Sequence, residues 1–191
     1  MVARVIPVEP FDLIVFGATG DLARRKILPA LCRRFAEGQM PPEARVIGCG
    51  PFVNGVAMAL RQIEQEGATN VALHPGDARD LLEVLPPGCL SRIVLNYPDP
   101  WPKTRHHRRR FVTPEHLIPL ARASAPGAEF RIATDIPDYV RQALVQVPRA
   151  GFDLVARETR PWAGWQSTRY ELKALREGRV PTYLTFRRGV A

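Results

Sequence analysis

The sequence lacks any long hydrophobic run. The apolar stretch before Gly17 is only about five residues long, which is too short for a signal peptide or a membrane span. Cysteines are also few, and the three present, Cys32, Cys49 and Cys89, are an odd number without CxxC spacing. This pattern argues against a disulfide framework. We therefore expect reduced thiols, a cytoplasmic location, and neither a membrane partner nor a metal site.

Internal repeats and low-complexity stretches are absent as well. Acidic residues are comparatively scarce, since 19 Asp and Glu stand against 27 Lys and Arg, for a formal net charge of +8. Such an excess favours a polyanionic partner, because clustered Lys and Arg release counterions from phosphates. Charge alone does not require one, since many basic proteins bind nothing anionic in particular.

The chain has 191 residues, of which 46% are hydrophobic, which is typical of one soluble globular domain. Short apolar runs alternate with longer segments of helical periodicity, the pattern of a parallel sheet with crossover helices. We predict an α/β, Rossmann-like domain with a seven-stranded, mostly parallel sheet and helices on both faces. The two last strands are expected to form an antiparallel pair at one edge. The predicted strands are Asp12–Phe16, Arg45–Cys49, Asn70–His74, Arg92–Asn96, Glu129–Thr134, Asp153–Glu158 and Thr182–Arg187.

Six helices are expected between these strands. Apolar residues recur at helical spacing in the first two, and Thr113 is a candidate cap for the fourth. The predicted helices are Leu22–Glu37, Gly55–Glu66, Ala78–Leu85, Pro114–Ala123, Pro137–Gln146 and Arg169–Glu177.

Two irregular segments, Tyr97–Arg110 and Thr159–Thr168, are long enough to indicate function. The first follows the fourth predicted strand, and ligands of open parallel sheets bind outside the carboxyl ends of the strands. Its three prolines fix φ and remove backbone donors, so they should hold Asp99 and Trp101 in a rigid arrangement.

A basic run follows Asp99 directly. It would surround the carboxylate with positive potential and suit a substrate that carries phosphates. The alternative is that the run is a solvated helix start and Trp101 a core residue. The candidate contacts to a nucleic-acid backbone are Arg105, Arg108, Arg109 and Arg110, with Lys103 at the start of the run.

The string YPDPWPKTRHHRRRF at Tyr97–Phe111 resembles the signature of the bacterial tRNA (guanine-N7)-methyltransferase family. The resemblance extends over Pro51–Arg188. It implies a class I methyltransferase fold, S-adenosyl-L-methionine as cofactor, and tRNA as the partner, methylated at N7 of guanine 46 in the variable loop. The chain would act as a monomer or homodimer. Further matching segments are PFVNGVA at Pro51–Ala57, GDARDLL at Gly76–Leu82, ATDIPDY at Ala133–Tyr139, STRYE at Ser167–Glu171 and YLTFRR at Tyr183–Arg188.

The resemblance also implies roles for individual residues. Asp77 and Ala78 match positions beside the adenine of the cofactor, and Asp99 matches the catalytic residue between methyl donor and base. The positions that match substrate-binding residues are Lys103, Asp135, Thr168, Arg169, Tyr170 and Glu171. Each has a plainer alternative, because Asp77 and Asp135 could cap the helices that follow them, and Arg169 and Glu171 could be surface charges.

The residue types agree with the implied chemistry. Guanine N7 bears a free lone pair and loses no proton when methylated, so no strong general base is required. Catalysis can come from holding N7 in line with the methyl sulfonium, while Asp99, Asp135 or Glu171 accept hydrogen bonds from the N1 and N2 edge. Nearby negative charge would also favour the cationic methylated base.

The first fifty residues follow a different pattern. The segment Phe11–Leu31, with its GATGDLA loop, resembles the amino terminus of glucose-6-phosphate dehydrogenase, and Gly17 and Gly20 would lie in a phosphate-binding turn. The methyltransferase motif EIGxGxG is absent. Gly50 stands at the cofactor-binding position where the family carries a Glu for the ribose. We expect a dehydrogenase-like βαβ start over 1–50 and a methyltransferase-like remainder over 51–191.

These departures leave two rival hypotheses open. One is a tRNA-binding module with impaired cofactor binding, favoured by Gly50 and the missing glycine-rich motif. The other is an NADP-binding remnant, favoured by GATGDLARRK alone. Dehydrogenase activity is not expected, because the His-Tyr-Leu-Gly-Lys active-site segment is nowhere in the chain.

Overall fold

The computed structural model describes residues 10–16, 27–49, 53–65, 67, 69 and 71–190. The chain divides into two compact units, Met1–Leu81 and Leu82–Ala191. Each unit has its own sheet and its own hydrophobic core. Among the described residues, no helix is both long and apolar enough to cross a bilayer. That residues 1–191 act as a single domain stays a prediction.

The first unit contains a parallel sheet of three strands, β1 (Asp12–Phe16), β2 (Arg45–Cys49) and β3 (Val71–His74), in that order. At the start of the β1–β2 pair, Arg45 donates to both oxygens of Asp12, at 2.7 Å through Nε and 2.5 Å through Nη2. The hydrogen bond from Arg45 lowers the pKa of the Asp12 carboxyl. Both side chains are exposed, so the pair contributes little to stability.

Three helices accompany this sheet: α1 (Leu28–Ala36), α2 (Val53–Gln65) and α3 (Ala78–Val84), the last of which continues into the second unit. Helix α1 begins with a proline in its first turn, where the missing N–H costs no hydrogen bond. The predicted start of this helix at Leu22 lies outside the described residues. The buried side chains of this core are Val15, Leu28 and Val46.

The second unit holds the strands β4 (Leu90–Asn96), β5 (Ser124–Thr134), β6 (Phe152–Glu158) and β7 (Thr182–Arg188). Their order in the sheet is β4-β5-β7-β6. Strand β4 runs parallel to β5, whereas β7 runs antiparallel to both β5 and β6. The prediction of an antiparallel pair formed by the last two strands is therefore confirmed.

The expectation of a single seven-stranded sheet is wrong. All seven strands are present, but backbone hydrogen bonds join β1–β3 into one sheet and β4–β7 into another. The physical reason is that each set of strands pairs within its own compact unit.

The core of the second unit lies between its sheet and the helices α4 (Pro114–Ala123) and α5 (Pro137–Arg149). Three buried aromatic side chains form its centre, with ring centroids of Phe130 5.8 Å from Phe152 and 6.3 Å from Phe186. Offset aromatic contacts of this kind stabilise beyond the area that they bury. A 3-10 helix at Thr104–Arg109 and helix α6 (Arg169–Arg176) complete the unit.

Candidate functional site

The loop that follows β4 has an unusual backbone. Tyr97 and Trp101 both adopt left-handed conformations, with φ of 44° and 40°, although neither is glycine. Such conformations are uncommon in non-glycine residues and persist where the surrounding structure enforces them. The amide of Tyr97 donates to the carbonyl oxygen of Ala133 on β5 at 2.8 Å, which anchors the start of the loop. Asp99 lies between these two positions, with its residue exposed.

Arg110 holds the other end of this loop from inside the protein. Its side chain is only 1% exposed. The guanidinium donates to the carbonyl oxygen of Pro100 at 2.8 Å through Nε and to that of Trp101 at 3.4 Å through Nη2. Through Nη1 it also contacts Gln142 Oε1 at 2.9 Å and Asp138 Oδ2 at 2.8 Å. The structure therefore argues against the predicted contact between Arg110 and a tRNA phosphate, because the guanidinium is buried away from solvent.

The remainder of the basic run is exposed. Lys103 caps the 3-10 helix, and its carbonyl oxygen accepts from the amide of His106 at 2.7 Å. The guanidinium of Arg109 lies over the indole of Trp101 at 4.8 Å, and the His106 ring meets the same indole edge-on at 5.9 Å. The exposed cations of this surface, which we call the basic loop, are Lys103, Arg105, Arg108 and Arg109.

Asp138 in the first turn of α5 contacts three basic side chains. Its carboxylate lies 2.8 Å from Arg110, 3.0 Å from Arg141 and 3.2 Å from His107. The hydrogen bond from Arg110 is the main cause that lowers the pKa of this carboxyl, opposed in part by burial. Asp138 therefore stays ionised and holds the buried guanidinium in place.

Thr168 and Glu171 form a capping box at the start of α6. The hydroxyl of Thr168 accepts from the Glu171 amide at 3.1 Å, and Glu171 Oε2 accepts from the Thr168 amide at 3.2 Å. Glu171 is only 3% exposed, and its carboxylate also accepts from the Trp165 indole at 2.6 Å and from the Tyr183 hydroxyl. The surface-charge alternative for Glu171 is therefore wrong.

The two residues between the capping-box partners have a different environment. Arg169 and Tyr170 are exposed, with Tyr170 at 56%. Their side chains are thus accessible to a large ligand, whereas Glu171 is held by donors of the protein itself.

Tyr97 brings a further polar group to this neighbourhood. The Tyr97 hydroxyl oxygen is buried and makes no hydrogen bond of standard geometry within the described residues. It lies close enough to the Tyr183 side chain to raise the pKa of the Tyr183 hydroxyl. Burial is the main cause that raises the pKa of Tyr97 to about 12, and the carboxylates of Glu171 and Asp135 act in the same direction. The hydroxyl therefore stays protonated at neutral pH.

Asp135 follows β5 and is largely shielded from solvent. Its Oδ2 accepts from Arg179 Nε at 2.5 Å. It does not cap α5, since the cap position is Ile136, whose amide donates to the Thr134 hydroxyl at 3.2 Å. Beside Asp135 lies a cleft of about 370 Å³. Its other lining residues are Pro137, Val140, Arg141, Leu144, Arg157, Val180 and Thr182.

The predicted cofactor residues belong to the first unit. Asp77 follows β3, and its Oδ1 accepts from the Arg79 amide at 2.9 Å in the first turn of α3, which begins at Ala78. Asp77 therefore does cap this helix, as its plainer alternative predicts. Its side chain is 36% exposed, and its Oδ2 accepts from Arg79 Nε at 2.9 Å. The glycines predicted to bind cofactor, Gly17, Gly20 and Gly50, lie outside the described residues.

Comparison with known proteins identifies the family. A family model described as "Putative methyltransferase" matches residues 35–182. A tRNA (guanine-N(7)-)-methyltransferase from Paracoccus denitrificans is 69% identical over 147 residues, which cover 77% of this chain and 63% of the relative. One from Azorhizobium caulinodans is 48% identical over 159 residues, covering 80% of this chain and 69% of the relative. The chain belongs to the tRNA (guanine-N7)-methyltransferase family.

Solved structures agree with this assignment at the level of the fold. A SAM-dependent methyltransferase from Aquifex aeolicus superposes with a TM-score of 0.52 at 14% identity, covering 93% of this chain and 81% of that one. The predicted class I methyltransferase fold is thus confirmed, apart from the division of its strands between two sheets.

The match to these tRNA (guanine-N7)-methyltransferases covers only part of the relatives' length. The chain spans about 63% of the length of the Paracoccus denitrificans protein. The comparisons give no support to the resemblance of Phe11–Leu31 to glucose-6-phosphate dehydrogenase, nor to an NADP-binding remnant.

Sequence reasoning missed the aromatic residues that support the capping box. Trp162, Trp165 and Tyr183 meet edge to face, with centroid distances of 5.2 to 5.9 Å. The Trp162 indole donates to the Thr185 hydroxyl at 2.9 Å. The Thr159–Thr168 segment is predicted to be functional from its length. Its two tryptophans, three residues apart in the string WAGW, indicate which side chains anchor it.

Proposed function

We propose that this chain transfers the methyl group of S-adenosylmethionine to N7 of a guanine in tRNA, at position 46 of the variable loop. The observation that carries the proposal is the exposed Asp99 on the strained loop after β4, immediately before the basic loop, in a member of this methyltransferase family. Ligands of such sheets bind at this edge.

Asp99 is the proposed catalytic residue. Its carboxylate is suited to accept hydrogen bonds from the N1 and N2 groups of guanine, which orients the base with N7 exposed to the methyl donor. Because N7 has a lone pair and no proton to lose, Asp99 need not act as a base. Its negative charge stabilises the positive charge that develops on the methylated ring.

Asp135 and the Thr168–Glu171 segment are the proposed supporting contacts to the substrate. Asp135 keeps a second carboxylate oxygen besides the one that accepts from Arg179. Glu171 contributes by holding the segment in shape, since three donors of the protein already occupy its carboxylate. Arg169 and Tyr170 then present exposed groups to the nucleotide.

The cofactor supplies an electrophilic methyl group on a sulfonium. Asp77 and Ala78 are the proposed ligands of its adenosine portion. Asp77 already accepts from Arg79, from the backbone amide at Oδ1 and from guanidinium Nε at Oδ2, both at 2.9 Å, so a bound adenosine would share this carboxylate with Arg79. The exposed fraction of Asp77 is compatible with this role.

The basic loop is the proposed contact to the phosphate backbone of tRNA. Lys103, Arg105 and Arg108 are exposed and follow Asp99 within a few residues. Contacts to phosphates fix the orientation of an RNA without reading its sequence. They would therefore bring the target guanine to Asp99, while the carboxylates identify the base.

The test is transfer of a labelled methyl group to three transcripts of one tRNA. These carry guanine, 7-deazaguanine or adenine at position 46. We expect N7-methylguanine, identified by mass spectrometry of the digested RNA, with the first transcript alone. Methylation of the adenine-46 transcript at another guanine would overturn the position and keep the chemistry. If the protein binds tRNA tightly but transfers no methyl group to any transcript, the result would instead support the tRNA-binding module.

A further inference from the structure

Arg110 belongs by sequence to the basic run, but its environment differs from that of its neighbours. The side chain is 1% exposed, and its guanidinium contacts four acceptors: the carbonyl oxygens of Pro100 and Trp101, Gln142 Oε1 and Asp138 Oδ2. A guanidinium has about five N–H donors, so these contacts use most of its capacity. A phosphate could replace them only by opening the loop.

The four acceptors lie on two different elements. Pro100 and Trp101 immediately follow Asp99, whereas Asp138 and Gln142 are one turn apart on α5. Gln142 is itself fixed, because its amide donates to the carbonyl oxygen of Val112 at 3.1 Å. Arg110 thus connects the loop that carries Asp99 to a helix of the core.

We propose that Arg110 is a positioning residue, which holds the Asp99 carboxylate in its working geometry and makes no contact with tRNA. The proposal rests on the proposed function of Asp99. The prolines on both sides of Asp99 cannot donate backbone hydrogen bonds, so few groups of the loop can anchor it. The guanidinium of Arg110 donates to the carbonyl oxygens of the two residues that follow Asp99, Pro100 and Trp101.

Lysine cannot substitute for this fork. An ammonium is a point charge on a flexible stem, whereas the planar guanidinium reaches acceptors in several fixed directions. The guanidinium of Arg110 also lies 5.3 Å from the ring of buried Tyr139, a contact that fits a flat cation. Arg110→Lys keeps the charge and removes the clamp, so it separates positioning from electrostatic attraction.

The experiment measures kcat, the Kd for tRNA with its salt dependence, and amide hydrogen exchange over residues 97–103. For Arg110→Lys we expect kcat to fall on the order of a hundredfold, since displacement of a catalytic group by about 1 Å has effects of this size. The Kd and its salt slope should change by less than about twofold, as for any residue that makes no phosphate contact. Exchange over 97–103 should become faster.

Arg188→Lys is the matched control. Arg188 also bridges backbone carbonyl oxygens, those of Ala121 at 3.3 Å and Gly151 at 2.7 Å, and lies beside the Phe152 ring at 5.8 Å. It should leave kcat and exchange over 97–103 unchanged. An equal fall of kcat in both variants would mean that Arg110 acts through general stability, which overturns the proposal.

Other outcomes are equally decisive. If Arg110→Lys weakens tRNA binding as much as it lowers kcat, the guanidinium makes a direct contact with a phosphate that lysine cannot reproduce, and the proposal fails. If that variant does not fold, Asp138→Asn takes its place, because it removes the charged partner and should cause the same faster exchange with a smaller fall in kcat. Unchanged exchange in Asp138→Asn would then refute the clamp. Should the unmodified chain show no methyl transfer, the proposed function fails, while hydrogen exchange still tests the clamp.

Discussion

The indole Nε1 of Trp165 donates a hydrogen bond of 2.6 Å to Glu171 Oε2 and thereby ties the loop after β6 to the first turn of α6. The acceptor is a carboxylate that is only 3% exposed. A buried carboxylate needs donors from the protein, because water cannot supply them. The indole, the Thr168 amide and the Tyr183 hydroxyl together meet that need.

Replacing the indole should therefore destabilise the protein. Trp165→Phe removes a donor from a buried charge, and we expect a loss of about 1.5–3 kcal/mol in the free energy of unfolding, measured in urea. Trp162→Phe is the matched control, because the Trp162 indole donates to a neutral acceptor, the Thr185 hydroxyl. It should cost only about 0.5–1.5 kcal/mol. Equal losses in the two variants would show that the charge on Glu171 is irrelevant.

Strong local patterns predicted most of the secondary structure. β1 and β2 have the predicted bounds, as does α4, which starts at Pro114 after Thr113. Thr113 lies at the cap position, but its side chain makes no capping hydrogen bond. The predicted position of the cap is therefore correct, but the capping hydrogen bond expected from the Thr113 side chain is absent.

Prolines caused the larger errors in the predicted bounds. The sequence predicts that β5 begins at Glu129, because Pro126 and Gly127 favour a turn. In the structure β5 begins at Ser124, which pairs with Leu90 of β4. Helix α5 continues to Arg149 beyond Pro148, because a proline near the last turn disrupts few hydrogen bonds.

The buried state of Arg110 could not be predicted in the same way. Arg108, Arg109 and Arg110 are identical residues in a row, and the last differs only through its tertiary contacts. Its burial depends on the Asp138 and Gln142 acceptors, which lie about thirty residues further along the chain. Likewise, the motif identified Glu171, and only packing revealed that Trp165 and Tyr183 occupy its carboxylate.

Asp99→Asn tests the proposed catalytic carboxylate. The substitution keeps the shape of the side chain and removes a charge that should matter mainly in the transition state. We expect kcat to fall by more than about tenfold, while the Kd for tRNA changes by less than about twofold. The measurement is single-turnover methyl transfer alongside equilibrium binding. Wild-type turnover in this variant would remove Asp99 from the mechanism.

The basic loop should dominate the salt dependence of tRNA binding. Arg105→Ala and Arg108→Ala each remove one exposed cation, so each should weaken binding and reduce the slope of log K against log salt by about one. Filter binding over a range of salt concentrations measures both quantities. The control is Arg122→Ala, because Arg122 contacts the carbonyl oxygens of Leu82 and Glu83 outside this loop. A slope that is the same in all three variants would show the loop to be an ordinary solvated surface.

We propose that Gly50 stands at the position where this family carries a Glu for the cofactor ribose, so the binding of S-adenosylmethionine should be weak. Two ribose hydroxyls then lack a charged acceptor, a loss of about 1.5–3 kcal/mol for a hydrogen bond to a charged group. Gly50→Glu should recover part of this affinity, roughly tenfold, in titration calorimetry. Gly50→Gln is the control, since it adds similar bulk without charge and should recover less. Tight cofactor binding by the unmodified chain would mean that another residue binds the ribose.

Cys49 should make the stability of the protein depend on pH in the alkaline range. Its side chain is 0% exposed, and burial raises the pKa of the thiol from 9.0 to about 11. Below its ordinary pKa the thiol is protonated in both states and has no effect. As pH rises from about 9 towards 11, the unfolded chain loses this proton and the folded protein keeps it, so the free energy of unfolding falls, by at most about 1.4 kcal/mol per pH unit.

Urea denaturation between pH 8 and pH 10 measures this fall, and Cys49→Val, which cannot ionise, should show a smaller one. Tyr97 contributes in the same direction, but only at higher pH, because its pKa is raised to about 12 from a higher ordinary value. Comparison of the two proteins therefore isolates the thiol. A thiol reagent gives an independent readout at pH 8, since exposed Cys89 should react at once and Cys49 only on unfolding. Rapid labelling of Cys49 in the folded protein, together with equal slopes for the two proteins, would contradict its burial in the first unit.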